Sequence, residues 1–458
     1  MTPRFDIAIV GGGAAGTLAA IQFLRQAGTP LRIALFEPGP HLAAGVAYAT
    51  TRGEHLLNVA TAGMSALPDQ PGDFLDWACA RPGHAAAARA AQALSFAPRR
   101  EYASYLRERL AQARQDSPAR LEVLPWRIHA LARDDDGWLL TAGDAGARAR
   151  RVLLAVGNSP RPLPANGAAD LPGSRLVDAW DYDAVAAIGA DEQVCIVGTG
   201  LSMADVLLTL SGNGHRGLIH LLSRHALLPL PHSTTPAANP GFEAEPLLAM
   251  PLRARLRALR QGMRAAALAG LPWQSVMERL RPHGQALWRS LPQAEQRRFL
   301  RHAVRHWDIH RHRIAPSVHA VLQELRDDGR LHVHRARLDS AMATPRGASL
   351  AARRHDGDML RLEVDRIVNA TGLELRARSM RNPLLARLLD EGHVRPGAHG
   401  LGLDADGHGR LSDAGGHAQD DLRTIGSLRI GEAWESIAVP ELRVQAADIA
   451  RAWVGASP

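Results

Sequence analysis

Four residues near the start of the 458-residue chain have types and spacing that can do chemistry: Gly11, Gly13, Gly16 and, 21 residues after the last of these, Glu37. In a Gly-x-Gly-x-x-Gly turn the first glycine permits a tight reversal. The second leaves room for a pyrophosphate to reach the backbone, and the third lets the following helix pack closely on the preceding strand. The helix start, Ala15 and Gly16 included, offers free N–H groups and the positive end of a helix dipole to the phosphates. Glu37 is spaced to accept hydrogen bonds from adenosine ribose hydroxyls. A glycine turn alone is weak. The combination of strand, turn, helix and acid is specific for a dinucleotide.

A second turn follows at Gly198-x-Gly200-x-x-Met203, with methionine in place of the third glycine. The next strand ends in Ser223-Arg224. A hydroxyl and a guanidinium suit a 2′-phosphate, which favours NADPH over NADH. The plain alternative is a solvated surface arginine. Two further strand-to-glycine junctions, at residues 153–158 and 367–372, place Gly157, Thr371 and Gly372 where the chain passes between dinucleotide domains.

The densest charged run is Arg301-His302-Ala303-Val304-Arg305-His306-Trp307-Asp308-Ile309-His310-Arg311-His312-Arg313. His302, His306 and His310 have i, i+4 spacing on a helix. No carboxylate or cysteine cluster completes a ligand set, and the arginines repel a cation, so no metal is expected. The run reads as a solvated helix face, a basic interface, or an anion-binding rim in which Arg311 or Arg313 pairs a negatively charged substrate. His232, on a proline-bounded loop, is a second substrate-contact candidate; otherwise it is an ordinary loop histidine.

These residues need elements to position them. Residues 5–10, 17–26 and 31–36 read as strand, helix and strand, and residues 194–197, 202–211 and 218–222 repeat the pattern. The expectation is an α/β chain with two Rossmann-like dinucleotide-binding domains. The first is discontinuous, over residues 1–190 and 346–458. The second, 191–345, is inserted into it and carries a helical insertion at about 246–328. Further helices are expected at 85–93, at 100–115 and at 433–453. Ser290-Leu291-Pro292-Gln293 resembles a capping box. Strands are expected at 138–141, 151–156, 331–338, 360–364 and 366–369.

Composition limits the partners. The formal charge is +8, yet all 54 basic residues are arginine, in an alanine-rich chain, as codon bias would produce. The arginines are scattered, so no nucleic-acid partner is expected. Cys79 and Cys195 are far apart, which excludes a Cys-rich zinc site and a local redox dithiol. No run of about 18 apolar residues suggests a membrane span, and a cytoplasmic protein is expected.

The order of features resembles the two-dinucleotide-fold flavoproteins: fingerprint, junction glycine, second fingerprint, Ala370-Thr371-Gly372, and a C-terminal Gly426-Ser427 before a helix. More specifically the chain resembles the bacterial FAD/NAD(P)-binding monooxygenase family that contains FAD-dependent urate hydroxylase. The resemblance rests on Gly45-Val46-Ala47-Tyr48, His55-Leu56-Leu57-Asn58-Val59, Gly198 to Asp205, residues 299–313 and residues 422–446. It implies FAD at the first turn, with Asn58, Thr371, Gly372, Gly426 and Ser427 near the cofactors. It also implies NADH or NADPH as co-substrate, and O2 with a small planar anion, best represented by urate, as substrates. The urate likeness points to NADH where Ser223-Arg224 points to NADPH, and the oligomeric state stays open. Many relatives have Gly-Asp where this chain has Gly426-Ser427; a serine keeps one hydrogen bond but not the charge. A flavin reductase without organic substrate, and an FAD protein that binds RNA, are the alternatives.

Overall fold

The β-branched run before the first turn forms the strand Arg4–Val10, buried on both faces from Ile7 onward, as a central parallel strand must be. The computed structural model describes residues 2–81 and 89–455. Of the helix expected at 85–93, residues 85–88 lie outside the described residues, and the remainder belongs to the helix Arg89–Leu94. Two compact units emerge, one of residues 1–53, 59–159 and 374–458, the other of residues 54–58 and 160–373.

The first unit is built on an eight-stranded sheet. Arg4–Val10 lies between Arg32–Phe36 and Ala145–Leu154, all parallel, and Arg120–Leu124 and Ala418–Thr424 extend the sheet on either side. The strands Ala130–Asp134 and Gly137–Ala142 form an antiparallel meander onto Ala145–Leu154. On one face Phe5, Phe36, Trp138 and Leu140 pack with the helix Pro383–Asp390. On the other the helix Ala14–Gln26, buried from Gly16 to Leu24, is covered by Arg99–Asp116 and Val439–Val454. Phe23 stacks on Trp453 at 5.7 Å. The C-terminal helix begins at Val439 and not at 433, because Pro440 suits a helix's first turn and Glu435 takes a left-handed φ of 68°.

The second unit repeats the plan. Leu331–Ala343, Ile219–Ser223, Val194–Val197, Arg366–Asn369 and Leu176–Asp178 are parallel neighbours. Ala348–Arg354 and Met359–Val364 complete an antiparallel meander on the edge. These pairings correct the expected boundaries. Leu176–Asp178 and the meander belong to the second sheet, so the chain passes between units at 159/160 and 373/374 rather than at 190/191 and 345/346.

The helical insertion is real but shorter than expected. Five helices from Leu252 to Arg311 surround a small core of Phe242, Leu247, Val276, Met277 and Leu280. The helix Pro316–Asp327 is instead the crossover of the dinucleotide fold: Leu322 and Leu325 pack with Val206, Leu207 and Leu210 of the helix Leu201–Gly212. The capping box is not formed. Ser290 ends the helix Gly284–Arg289, its Oγ donates to the Leu287 carbonyl at 3.1 Å, and Pro292 caps Gln293–His302 without a side-chain bond.

Candidate dinucleotide sites and the histidine–arginine cluster

In the first unit each glycine of the fingerprint has a separable task. Gly11 has φ +107°, and a Cβ there would lie 2.3 Å from the Ala155 carbonyl oxygen. A Cβ on Gly16 would lie 1.8 Å from the Gly11 oxygen. Both glycines therefore serve the protein's own packing. Gly13 differs: a Cβ there would meet only the Gly45 Cα, at 3.6 Å, an ordinary van der Waals contact, so the protein's own packing does not demand a glycine. The helix Ala14–Gln26 starts at Gly13 with no side-chain cap and no acid in its first turn. Its leading amides, Ala15 and Gly16 among them, have no carbonyl in a preceding turn to bond.

Glu37 is held beside this opening. Its carboxylate accepts from Gly12 N–H and Gly39 N–H, both at 2.8 Å. Each oxygen keeps a lone pair for a ribose hydroxyl. An uncapped helix start at a glycine and an oriented carboxylate fit the pyrophosphate and ribose of FAD.

Gly426, with φ +82°, ends the strand Ala418–Thr424 in a tight turn; its N–H donates to Gln445 Oε1 at 3.0 Å. Ser427 donates its hydroxyl to the Gly157 carbonyl at 3.0 Å, so its one proton is committed inside the protein. Toward any cofactor Ser427 is an acceptor.

The second unit reproduces the geometry. Gly198 has φ +111°, and a Cβ would stand 2.1 Å from the Ala370 oxygen, as Gly11 stands to Ala155. Each junction strand thus crosses its own unit's first glycine, which is why the sequence carries a junction for each turn. Gly200 has nothing within 4 Å of a Cβ and opens the uncapped helix Leu201–Gly212. Met203, in the third-glycine position, is fully buried. Thr371 donates its hydroxyl to Asn369 Oδ1 at 2.7 Å, and Gly372 takes φ +85°.

At the end of Ile219–Ser223 lies a basic group larger than the sequence indicated. Ser223 pairs in register with Arg335, and Arg337 follows on the same face of the neighbouring strand. The Arg224 guanidinium is held below its usual range by partial burial, then by the like charges of Arg305 and Arg337. Ser223 Oγ accepts from Ala226 N–H and from Thr199 Oγ, both at 3.0 Å, and so fixes this loop. Arg305 is paired with Asp308 at 3.0 Å, while Arg224 and Arg337 have no ion pair among the described residues, and such arginines favour a doubly charged anion such as a 2′-phosphate.

The histidine–arginine segment divides. The helix breaks at Ala303, so His302 ends Gln293–His302 while His306 and His310 belong to Val304–Arg311. The expected i, i+4 ladder of three is interrupted. Among the described residues no group of three His, Cys, Asp or Glu side chains is placed to hold a metal ion. Arg311 and Arg313 are buried rather than lining an open rim. Arg313 forms an ion pair with Glu278, and its guanidinium lies 6.0 Å from the centre of the Trp273 ring.

His232 joins this pair. Its Nε2 stands 2.9 Å from the Asn58 carbonyl, which assigns the proton to Nε2 and leaves Nδ1 as an acceptor. Burial, then the Arg313 charge, pull its pKa down to about 4, against the opposing Asn58 bond. His232 is therefore neutral at pH 7. Glu278 was not legible as part of this site, since 35 residues separate it from Arg313. The Trp273 to Arg279 amphipathic run gave no sign of which face it would present.

A second histidine group also escaped the sequence reading. His220 Nδ1 and His334 Nε2 are 3.0 Å apart, and His332 lies beside both rings. The alternation His332-Val333-His334 on a strand was its one available signal.

Residues 8–159 match a protein-family model described as FAD-NAD(P)-binding. No curated protein matches the chain. Among solved structures, ornithine hydroxylase from Pseudomonas aeruginosa in its reduced form aligns over 99% of both chains, with TM-score 0.67 and 16% identity. Ornithine N-hydroxylase from Kutzneria sp. 744, solved with reduced FAD, NADP+ and L-ornithine, aligns over 98% of both chains with TM-score 0.65 and 16% identity. The cadaverine monooxygenase of desferrioxamine biosynthesis from Erwinia amylovora, bound to FAD, covers 99% of this chain and 95% of its own, with TM-score 0.68 and 12% identity. The chain has the Rossmann-like FAD/NAD(P)-binding flavoprotein fold, and its cofactors are FAD and a nicotinamide dinucleotide. No helix among the described residues is long and apolar enough to cross a membrane.

Proposed function

We propose that this chain is an FAD-dependent monooxygenase that consumes NADPH and O2 and hydroxylates the nitrogen of a small amine. The observation that carries the reading is the pair of uncapped helix starts behind Gly13 and Gly200, built alike into two units. One dinucleotide brings electrons and the other spends them. When bound, FAD accepts hydride from the nicotinamide and passes both electrons to O2; the net change is amine, O2, NADPH and a proton to hydroxylamine, water and NADP+. The chain's own part is placement. The amides behind Gly13 hold the pyrophosphate, Glu37 the ribose, and Arg224 with Arg305 and Arg337 a 2′-phosphate.

Charge supports an amine over urate. Urate rests on sequence resemblance alone and needs an available cation, whereas the Arg313 guanidinium is already paired by Glu278. His232 adds no positive charge at neutral pH. The similar structures named for ornithine and cadaverine point the same way.

The test is NADPH oxidation by FAD-loaded protein with ornithine, lysine, cadaverine, other diamines and urate in turn. An amine that accelerates oxidation and yields a hydroxylamine is expected. Acceleration by urate alone would restore the urate reading. Substrate-independent oxidation with all oxygen recovered as peroxide would make the protein a flavin reductase. Arg224→Ala should weaken NADPH use by about 10- to 100-fold, the worth of a charged hydrogen bond, and leave NADH use nearly unchanged. Equal effects on both would return Arg224 to an ordinary surface role.

A further inference from the structure

The helical insertion concentrates the molecule's positive charge. Residues 246–315 hold 14 arginines and three acids, while the other residues hold 40 arginines and 43 acids. The charge is sharpest on the helix Leu252–Leu268, which contains five arginines and no acid. One of the five, Arg255, points inward. It is buried and donates to the carbonyls of Met250, Leu287 and Leu248 and to Ser290 Oγ. The other four, Arg253, Arg257, Arg260 and Arg264, are all exposed.

These four and Leu268 form one stripe. At about 100° per residue they fall within an arc of about 80°, and the stripe runs about 22 Å along the helix. The opposite side carries Leu252, Gly262 and Ala266, and Gly262 leaves room for the Phe242 ring, which a Cβ would approach to 2.7 Å. The orientation of the stripe toward solvent is therefore fixed by packing. None of the four arginines has an ion pair or hydrogen-bond partner among the described residues. Other exposed arginines do find acids, as in Arg4–Asp136, Arg32–Glu122 and Arg216–Asp191. Like charges three and four residues apart weaken a helix, and here nothing local offsets them.

The end of the stripe is apolar. Leu268 is 92% exposed, the most exposed large hydrophobic residue in the described chain, and Ala265, Ala267 and Ala269 are exposed beside it. The apolar face of the helix packs on the protein, and its exposed face offers arginines that attract anionic headgroups and a leucine whose apolar area a bilayer interface can cover. A nucleic-acid surface would be expected to interleave aromatic residues for stacking, and this helix has none.

We propose that the helix Leu252–Leu268 docks the protein peripherally on an anionic lipid bilayer, the four arginines meeting headgroup phosphates and Leu268 entering the interface. The inference does not depend on the reaction proposed above. It is tested by co-sedimentation of the full-length, FAD-loaded protein with vesicles of phosphatidylcholine, with and without phosphatidylglycerol. Binding should require phosphatidylglycerol and fall as salt rises. The triple variant Arg257→Gln, Arg260→Gln, Arg264→Gln should bind about 100-fold more weakly, about fivefold per arginine. Leu268→Ser should weaken binding about tenfold or more, as expected for a leucine withdrawn from the interface. Retained FAD and an unchanged circular dichroism spectrum establish that the variants fold. Wild-type protein that ignores phosphatidylglycerol, or a triple variant that binds as well as wild type, would overturn the proposal. So would tighter retention on polyuridylate than on vesicles with no effect of Leu268→Ser, which would make the partner a nucleic acid.

Discussion

Gly13 and Gly16 look equivalent in the fingerprint, but their surroundings assign them opposite roles. At Gly13 a Cβ would make only an ordinary contact with Gly45, so Gly13→Ala should leave a folded protein that loses FAD; absorbance of the purified protein and its melting temperature report the two effects separately. Gly16→Val places new atoms against the Gly11 carbonyl and should lower stability itself. Equal destabilisation by both would remove the ligand role from Gly13. The roles of the glycines and of Glu37 were legible in the sequence because short-range geometry dictates them. Arg305, Arg335 and Arg337 around Arg224, and Glu278 on Arg313, were not, because sheet register and helix packing bring them together from distant positions.

At the scale of elements, the meander beside Ile219–Ser223 buries a histidine that cannot readily take a charge. His220 is 7% exposed. Burial first, then His334 and His332, lower its pKa to about 4, and the adjacent strand presents Cys195 opposite it in register. Arg354 adds a further positive charge near His334. Above pH 6.5 neither folded nor unfolded chain protonates this ring. As pH falls from 6.5 toward 4 the unfolded chain binds a proton that the folded one resists, so stability is lost. The loss attributable to His220 should approach about 3 kcal/mol near pH 4, at 1.36 kcal/mol per pKa unit. His220→Gln should reduce the dependence of melting temperature on pH over that window, leaving a comparable contribution from His232, whose pKa is also lowered to about 4, and a further one from His215. An unchanged slope would show that the cluster does not govern it.

The insertion offers a second test at this scale. Arg255 bonds three carbonyls and a hydroxyl from inside the helical block. Arg255→Met should cost about 1–3 kcal/mol or more, the penalty of leaving its buried neutral acceptors unsatisfied. It should also speed hydrogen exchange across residues 246–311. Protection unchanged there would contradict this assignment. The helices themselves were readable from periodicity. The end of the block was not, because Pro316–Asp327 continues the helical periodicity while packing as the crossover of the sheet.

For the whole molecule, two repeated architectures explain why the sequence order of turns and junctions revealed the fold class while the domain boundaries were displaced. Glycine turns mark strand ends, but sheet membership is decided by pairing between strands far apart in the chain. The meander of Leu331–Ala343, Ala348–Arg354 and Met359–Val364 joined the second sheet for that reason. The proposed function requires that two electrons from NADPH reach O2 by way of FAD, one oxygen atom leaving as water and the other going to the substrate. The most direct measurement is the stoichiometry of NADPH oxidised, O2 consumed and hydroxylamine formed by the FAD-loaded protein with its best amine. One to one to one, with little hydrogen peroxide, is the predicted result. NADPH oxidation accompanied by stoichiometric peroxide and no hydroxylamine, for every amine tried, would contradict the account.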